Sequence, residues 1–285
     1  MGKLQTFLEE FKAAFYSDDV ECQLRVHEKL ENHYHHHPNL RKISQKCAEY
    51  QKFLEEIDCY DMCLELLLNN DWDLEYEGND ILVESRGSGA DFVSRASLLI
   101  NASILPTLSV ITETDLLSTW VQVLNGVEII AEPTNSRKLG FYNFWFPWPL
   151  SDRQCVLEFS AYPVRSEQGV LIMMKTPETS KYLGAEIPAA AEGLARMNIP
   201  IGGVFVQYIS PILTKVVIVV QANGNISSVP DWLFNFGTKR IMYYLMDALR
   251  NQVLNFQGSI YERRVAEREE YYRFICQYIQ HNIGD

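Results

Sequence analysis

Nowhere in the 285 residues do about 18 apolar positions run together, so no segment reads as a membrane-spanning helix. The opening stretch MGKLQTFLEEFKAAF lacks the apolar core of a secretory signal and shows an acidic amphipathic pattern instead. Basic residues are scarce: 25 Lys and Arg stand against 37 Asp and Glu, a formal net charge of -12. Such a surface cannot displace the counterions of a nucleic acid and is repelled by an anionic bilayer, which excludes a nucleic-acid partner and tight resting attachment to such a membrane. Cysteines are few and scattered. Cys22, Cys47, Cys59, Cys63, Cys155 and Cys276 do not make a disulfide framework in a chain this long and read as reduced, mostly buried thiols, so a cytoplasmic location is expected. Also missing are a glycine-rich phosphate loop, a nucleophile elbow and a zinc-protease motif. No catalytic residue is visible, no cofactor is called for, and the chain reads as a binder, not an enzyme. His33, His35, His36 and His37 suggest a metal, but no carboxylate or cysteine stands at ligand spacing beside them and Pro38 ends the segment, so a solvated interhelical loop is the expectation.

What is present suffices for a large core: 47% of the residues are hydrophobic. Residues 1 to about 70 have helical spacing, with Leu4, Phe7, Leu8, Phe11 and Phe15 recurring every three or four positions. From Trp72 the pattern becomes strand-like. DLEYEG, DILVESRG and FVSRASLLINAS are separated by Gly-Asn and Gly-Ser-Gly turns and read as an antiparallel meander. ILPTLSVITETDLLSTWVQVL returns to helical spacing as two short helices, with Thr114 or Asp115 as a cap. Six further strands follow, making about nine, and Pro230 opens a long helix with an apolar stripe of Ile241, Tyr244, Leu245, Ala248, Leu249, Val253 and Phe256. The sum is an α+β fold, a curved antiparallel sheet closed by one long helix, whose interior is often a cavity.

The segment FYNFWFPWPLSDRQCVLEF, residues 141–159, puts six aromatic residues in its first eight positions and then breaks at Pro147 and Pro149. Prolines end a ladder, and so much aromatic surface beside them wants either a core or a ligand. The aromatic-Pro-x-Pro-Leu-Ser-x-Arg core of this segment, followed by Pro-x-Trp-Leu-x-Asn before the last helix, resembles the START lipid-transfer domain, in particular its phosphatidylcholine-transfer-protein branch. The resemblance covers about residues 55 to 258. It implies a helix-grip fold: a sheet that grips the final helix around a tunnel for one lipid, with FPWPLS on a loop at the tunnel mouth. The chain then divides into a helical extension (1–52), a START-like lipid-binding domain (53–258) and a helical tail (259–285).

Under that resemblance the lipid-binding residues expected are Phe144, Phe146, Trp148, Cys155, Leu157, Phe159, Tyr208, Ile241, Leu245 and Leu249. Phe146 and Trp148 would gate the mouth, whereas Phe141 to Trp145 are either core or cavity lining. In RQCVLEFSAY the alternation puts Arg153, Cys155, Leu157, Phe159 and Ala161 on one, inward, face. Several members of the family carry a second arginine where this chain has Phe159, which implies a more apolar tunnel, while Arg153 at the motif position would anchor the loop. An apolar tunnel suffices, since roughly 0.8 kcal/mol per methylene gives around 12 kcal/mol for a chain of about sixteen carbons before binding costs. Polar contacts from Tyr208, Gln207, Asn143 or Arg196 would choose the lipid. The expected partners are a phospholipid, sterol or related lipid, held for transfer or sensing, and a transient membrane contact. The alternative is a protein interaction module with a vestigial cavity, in which the helical ends bind a protein partner.

Overall fold

The computed structural model describes residues 2–36, 41–44, 46–88, 91–146, 151–191, 194–223 and 231–283. The N-terminal helices are α1 (Gly2–Tyr16), α2 (Val20–His36), α3 (Arg41–Ser44) and α4 (Ala48–Leu68). The apolar stripe of α1 is buried as its spacing requires: Leu4, Leu8, Phe11 and Phe15 pack with Val26 and Leu30 of α2 and with Tyr50 and Phe53 of α4. The expected boundary at residue 52 therefore falls inside one helix, whose first turns serve the N-terminal cluster. Its later turns, through Cys59 and Cys63, cover one face of the sheet.

The sheet opens with β1 (Asp73–Gly78) and β2 (Ile81–Arg86), and Asn79 and Asp80 between them both take left-handed φ, 52° and 58°. That is the two-residue type I′ hairpin, so the turn residues are Asn-Asp and not the Gly-Asn pair expected. After β3 (Val93–Ile100) come α5 (Ile104–Thr112) and a 3₁₀ turn, Thr114–Thr119, in place of the second short helix. Neither expected cap forms: Glu113 holds that position without a side-chain bond. The remaining large strands are β4 (Leu124–Thr134), β5 (Arg137–Phe144), β6 (Arg153–Val164) and β7 (Gly169–Lys175). The short β8 (Lys181–Tyr182) and β9 (Ala185–Glu186) pair only with each other, and β10 (Ala195–Arg196) joins β6 in parallel. Two long strands, β11 (Asn198–Ser210) and β12 (Leu213–Asn223), precede α6 (Asp231–Leu254), α7 (Ile260–Glu267) and α8 (Glu269–Ile283).

The strand order is β1-β2-β3-β12-β11-β7-β6-β5-β4. Strand β12 lies mid-sheet and is covered on both faces, which is why VVIVV reads as an unbroken apolar run and not as an alternation. On the outer face Leu171, Met173, Ile201, Phe205 and Val217 pack under α4. On the inner face Val83, Ala96, Leu98, Ile100, Val216 and Ile218 pack against Met242, Met246, Leu249 and Val253 of α6. The buried stripe of α6 is thus rotated from the one expected: Met242 and Met246 occupy it, while Ile241 is 40% and Tyr244 50% exposed. Tyr244 turns away because its neighbour Tyr243 stacks edge-on against Tyr76 of β1, ring centroids 4.8 Å apart, fixing the phase of the helix.

A buried ion-pair network centred on Arg137 joins the N-terminal helices to the sheet. Arg137 of β5, 1% exposed, donates from Nη2 to Glu56 of α4 at 2.8 Å and from Nη1 to Asp18 at 3.1 Å, with its guanidinium 3.8 Å from the Phe15 ring centroid. Tyr162 of β6 donates to the same Glu56 at 2.6 Å. Burial disfavours the arginine's charge, but Glu56, Tyr162 and Asp18 more than offset it and its pKa is raised.

Candidate lipid site

The inner face is set by the pleat of β6. Cys155, Leu157 and Phe159 all point inward, as the alternation predicts, and meet Tyr142 and Phe144 of β5, Leu124 of β4 and Met197 and Ile199 of β11 and its approach. Tyr142 takes its place because residue 140 is glycine: a Cβ there would stand 2.8 Å from the Tyr142 hydroxyl, so the ring lies back over Gly140. Its centroid is 5.9 Å from that of Phe159. Burial pushes the Tyr142 phenol above its ordinary pKa, and the Thr114 hydroxyl beside it offsets only part of that. Cys155 is likewise raised, to about 11, chiefly by burial, which makes it an inert thiol.

Around this cluster several large apolar side chains remain only partly buried although they face the interior. Phe144, Phe159, Met174 and Val220 line it, and Leu245 of α6, likewise only partly buried, packs against the neighbouring inner cluster under the helix. Gly202 makes room on the same face, since a Cβ there would come within 2.9 Å of Met174 Cγ. Leu249 is fully packed against the sheet, whereas Ile241 stands outside the buried stripe. Tyr208 also faces inward, but further along the sheet and beneath α8. The other polar candidates are elsewhere: Asn143 accepts from Gln154 at 3.2 Å, Arg196 lies over the outer ring of Phe141, and Gln207 pairs in register with Lys215. Tyr142, Met174, Val220, Met242 and Met246 are among the inner residues that the sequence did not single out.

The stems of the aromatic loop are tied down. Phe146 N–H donates to Asp152 Oδ1 at 3.2 Å and Trp145 N–H to the Val123 carbonyl at 2.8 Å, while Arg153 Nη1 donates to the Ser151 carbonyl at 2.7 Å. Arg153 therefore braces the loop stem. Trp145 is 48% exposed and Phe146 half-buried; Trp148, with Pro147, Pro149 and Leu150, lies outside the described residues.

At the opposite end of β5 an open polar cleft of about 310 Å³ is lined by residues that include Tyr16, Glu132, Lys138, Arg268 and Tyr271. Its charges are already paired, Lys138 with Glu132 at 3.0 Å and Arg268 with Glu113 at 3.0 Å. Among the described residues no group of three or more His, Cys, Asp or Glu is placed to hold a metal ion. No helix among them is long and apolar enough to cross a membrane.

A sheet curled round a last long helix is the helix-grip fold of START domains. No family model matches the chain, and no curated protein sequence does. Solved structures do match. Human StAR-related lipid transfer protein 5 superposes with a TM-score of 0.65 at 16% identity, over 75% of this chain and 100% of its own. Human STARD10 gives 0.62 at 17%, over 75% and 83%. A STAR-related lipid transfer protein from Xanthomonas axonopodis gives 0.54 at 18%, over 65% and 99%.

Proposed function

We propose that the chain is a non-enzymatic lipid-binding protein that holds one lipid between the inner face of the sheet and α6, for transfer or sensing. The observation that carries this reading is the set of inward-facing but incompletely buried apolar residues, Phe144, Phe159, Met174, Val220 and Leu245. A packed core would have closed over them. The lipid-transfer proteins of the same fold support the reading, and the aromatic-Pro-x-Pro motif keeps the phosphatidylcholine-transfer-protein branch as the one resembled in sequence. A transient membrane contact through the Trp145–Trp148 loop and a cytoplasmic location belong to the same proposal. Native mass spectrometry of the recombinant protein tests it: one lipid per chain is expected. An empty chain that also takes nothing up from mixed vesicles overturns it and leaves the interaction module, with the helical ends binding a protein partner, in its place.

A further inference from the structure

The C-terminal residues beyond α6 do not trail from the domain. The apolar stripe of α8, Tyr271, Tyr272, Ile275, Tyr278 and Ile279, lies on the inner face of the sheet, against Phe159 and Ala161 of β6, Val170 and Ile172 of β7 and Val206 and Tyr208 of β11. This is the same face that carries Cys155 and Leu157. Going along β6, then, two inward positions belong to the open cluster, Phe159 belongs to both clusters, and Ala161 lies under α8.

The placement of α8 is fixed by a buried charge. Glu113, at the end of α5, is 0% exposed and accepts from Arg268 Nη1 at 3.0 Å, Arg264 Nη1 at 3.4 Å and the Tyr272 hydroxyl at 2.8 Å. All three donors come from α7 and α8 or the single residue between them. A buried carboxylate is tolerable only with such partners, so Glu113 commits the two helices to one docked position.

We infer that α8 is the floor of the lipid space and sets the length of hydrocarbon chain that the interior accepts, with Ile275 as the residue that meets the end of the chain beside Phe159. This rests on the lipid-binding reading above. A floor acts on length because each methylene that must leave the pocket for water weakens binding roughly fourfold, whereas each one that finds room strengthens it by the same factor.

The test uses the full chain and vesicles of a mixed cellular lipid extract, with captured lipids identified by mass and sorted by chain length whatever their headgroup. The unaltered protein should show a sharp upper limit. Ile275→Ala removes about three carbons from the floor and should move that limit up, enriching chains longer by one or two methylenes roughly fourfold for each. Glu113→Gln, which keeps the shape of the clamp but removes its charge, should blur the limit. If Ile275→Ala does not fold, Glu113→Gln alone decides. Variants that load lipid with an unchanged length profile overturn the floor and leave the lipid reading intact. An unaltered protein that captures no lipid of any length overturns both.

Discussion

Phe159 faces the interior directly opposite Lys138 of the neighbouring strand, with Met174 across from it on the other side. An arginine at 159 would bring a second cation beside a lysine whose Nζ is already held by the Thr112 carbonyl at 2.8 Å and by Glu132. Phe159→Arg should cost about 2 kcal/mol or more and lower lipid uptake, read as melting temperature and bound lipid on one preparation. Glu158, the next residue, points the other way. Burial raises its carboxyl above the ordinary value, although Lys52, at 2.5 Å, and Lys175 pull it down. A carboxyl whose pKa is raised in the folded state contributes stability that is complete below the unfolded value, about 4.3, and is lost as pH rises through the folded one. Glu158→Gln cannot titrate. The stability difference between the unaltered protein and this variant should therefore shrink as pH rises from about 4. A difference that grows instead would mean that Lys52 holds the carboxyl below its ordinary range.

Among the elements, β6 was legible in the sequence because residue type alternates along it, Cys155, Leu157, Phe159 and Ala161 against Gln154, Glu158 and Ser160, although both of its faces are largely buried. Tyr142 was not, because in FYNFW nearly every position is aromatic and the alternation vanishes. In α6 the run RIMYYLM offers apolar residues on adjacent positions, so the stripe could be phased through Ile241 or Met242; the decision lies in Tyr76, more than 160 residues earlier, which holds Tyr243. Glu113 gave no local signal at all, since its partners lie 151 to 159 residues away. The N-terminal helices illustrate the same limit. Their apolar spacing announced helices but not that the chain would share their cluster with α4 and tie it to β5 through Arg137. Phe11, fully buried among Phe15, Tyr50 and Phe53, should cost about 3–5 kcal/mol when replaced by alanine, measured by chemical denaturation. A loss under about 1 kcal/mol would show that α1 is dispensable to the fold.

For the whole molecule, the net charge of -12 bears on the membrane contact proposed above. With so acidic a chain, the proposed contact would rest on apolar side chains that sit well at an interface, and tryptophan is the preferred one. Trp148→Glu should slow lipid transfer between neutral vesicles while leaving the melting temperature nearly unchanged. If it unfolds the protein, Trp148 belongs to the core; if neither quantity changes, the mouth lies elsewhere, at the Pro230 end of the last long helix. The half-exposed Trp145 at the stem already presents one indole at that end of the molecule.

The position of α8 also governs how the protein comes into being. Synthesis delivers β6, β7 and β11 well before residue 269, so the strip of Phe159, Ala161, Val170, Ile172, Val206 and Tyr208, which α5 covers only in part through Ile104 and Leu108, waits for α8 to complete its cover. Exposed strand surface of this kind invites self-association, and the delay is longest for a nascent chain that stalls late. Docking of α8, which also places His281 3.3 Å from Glu21, completes the cover of that strip and should lower its tendency to self-associate.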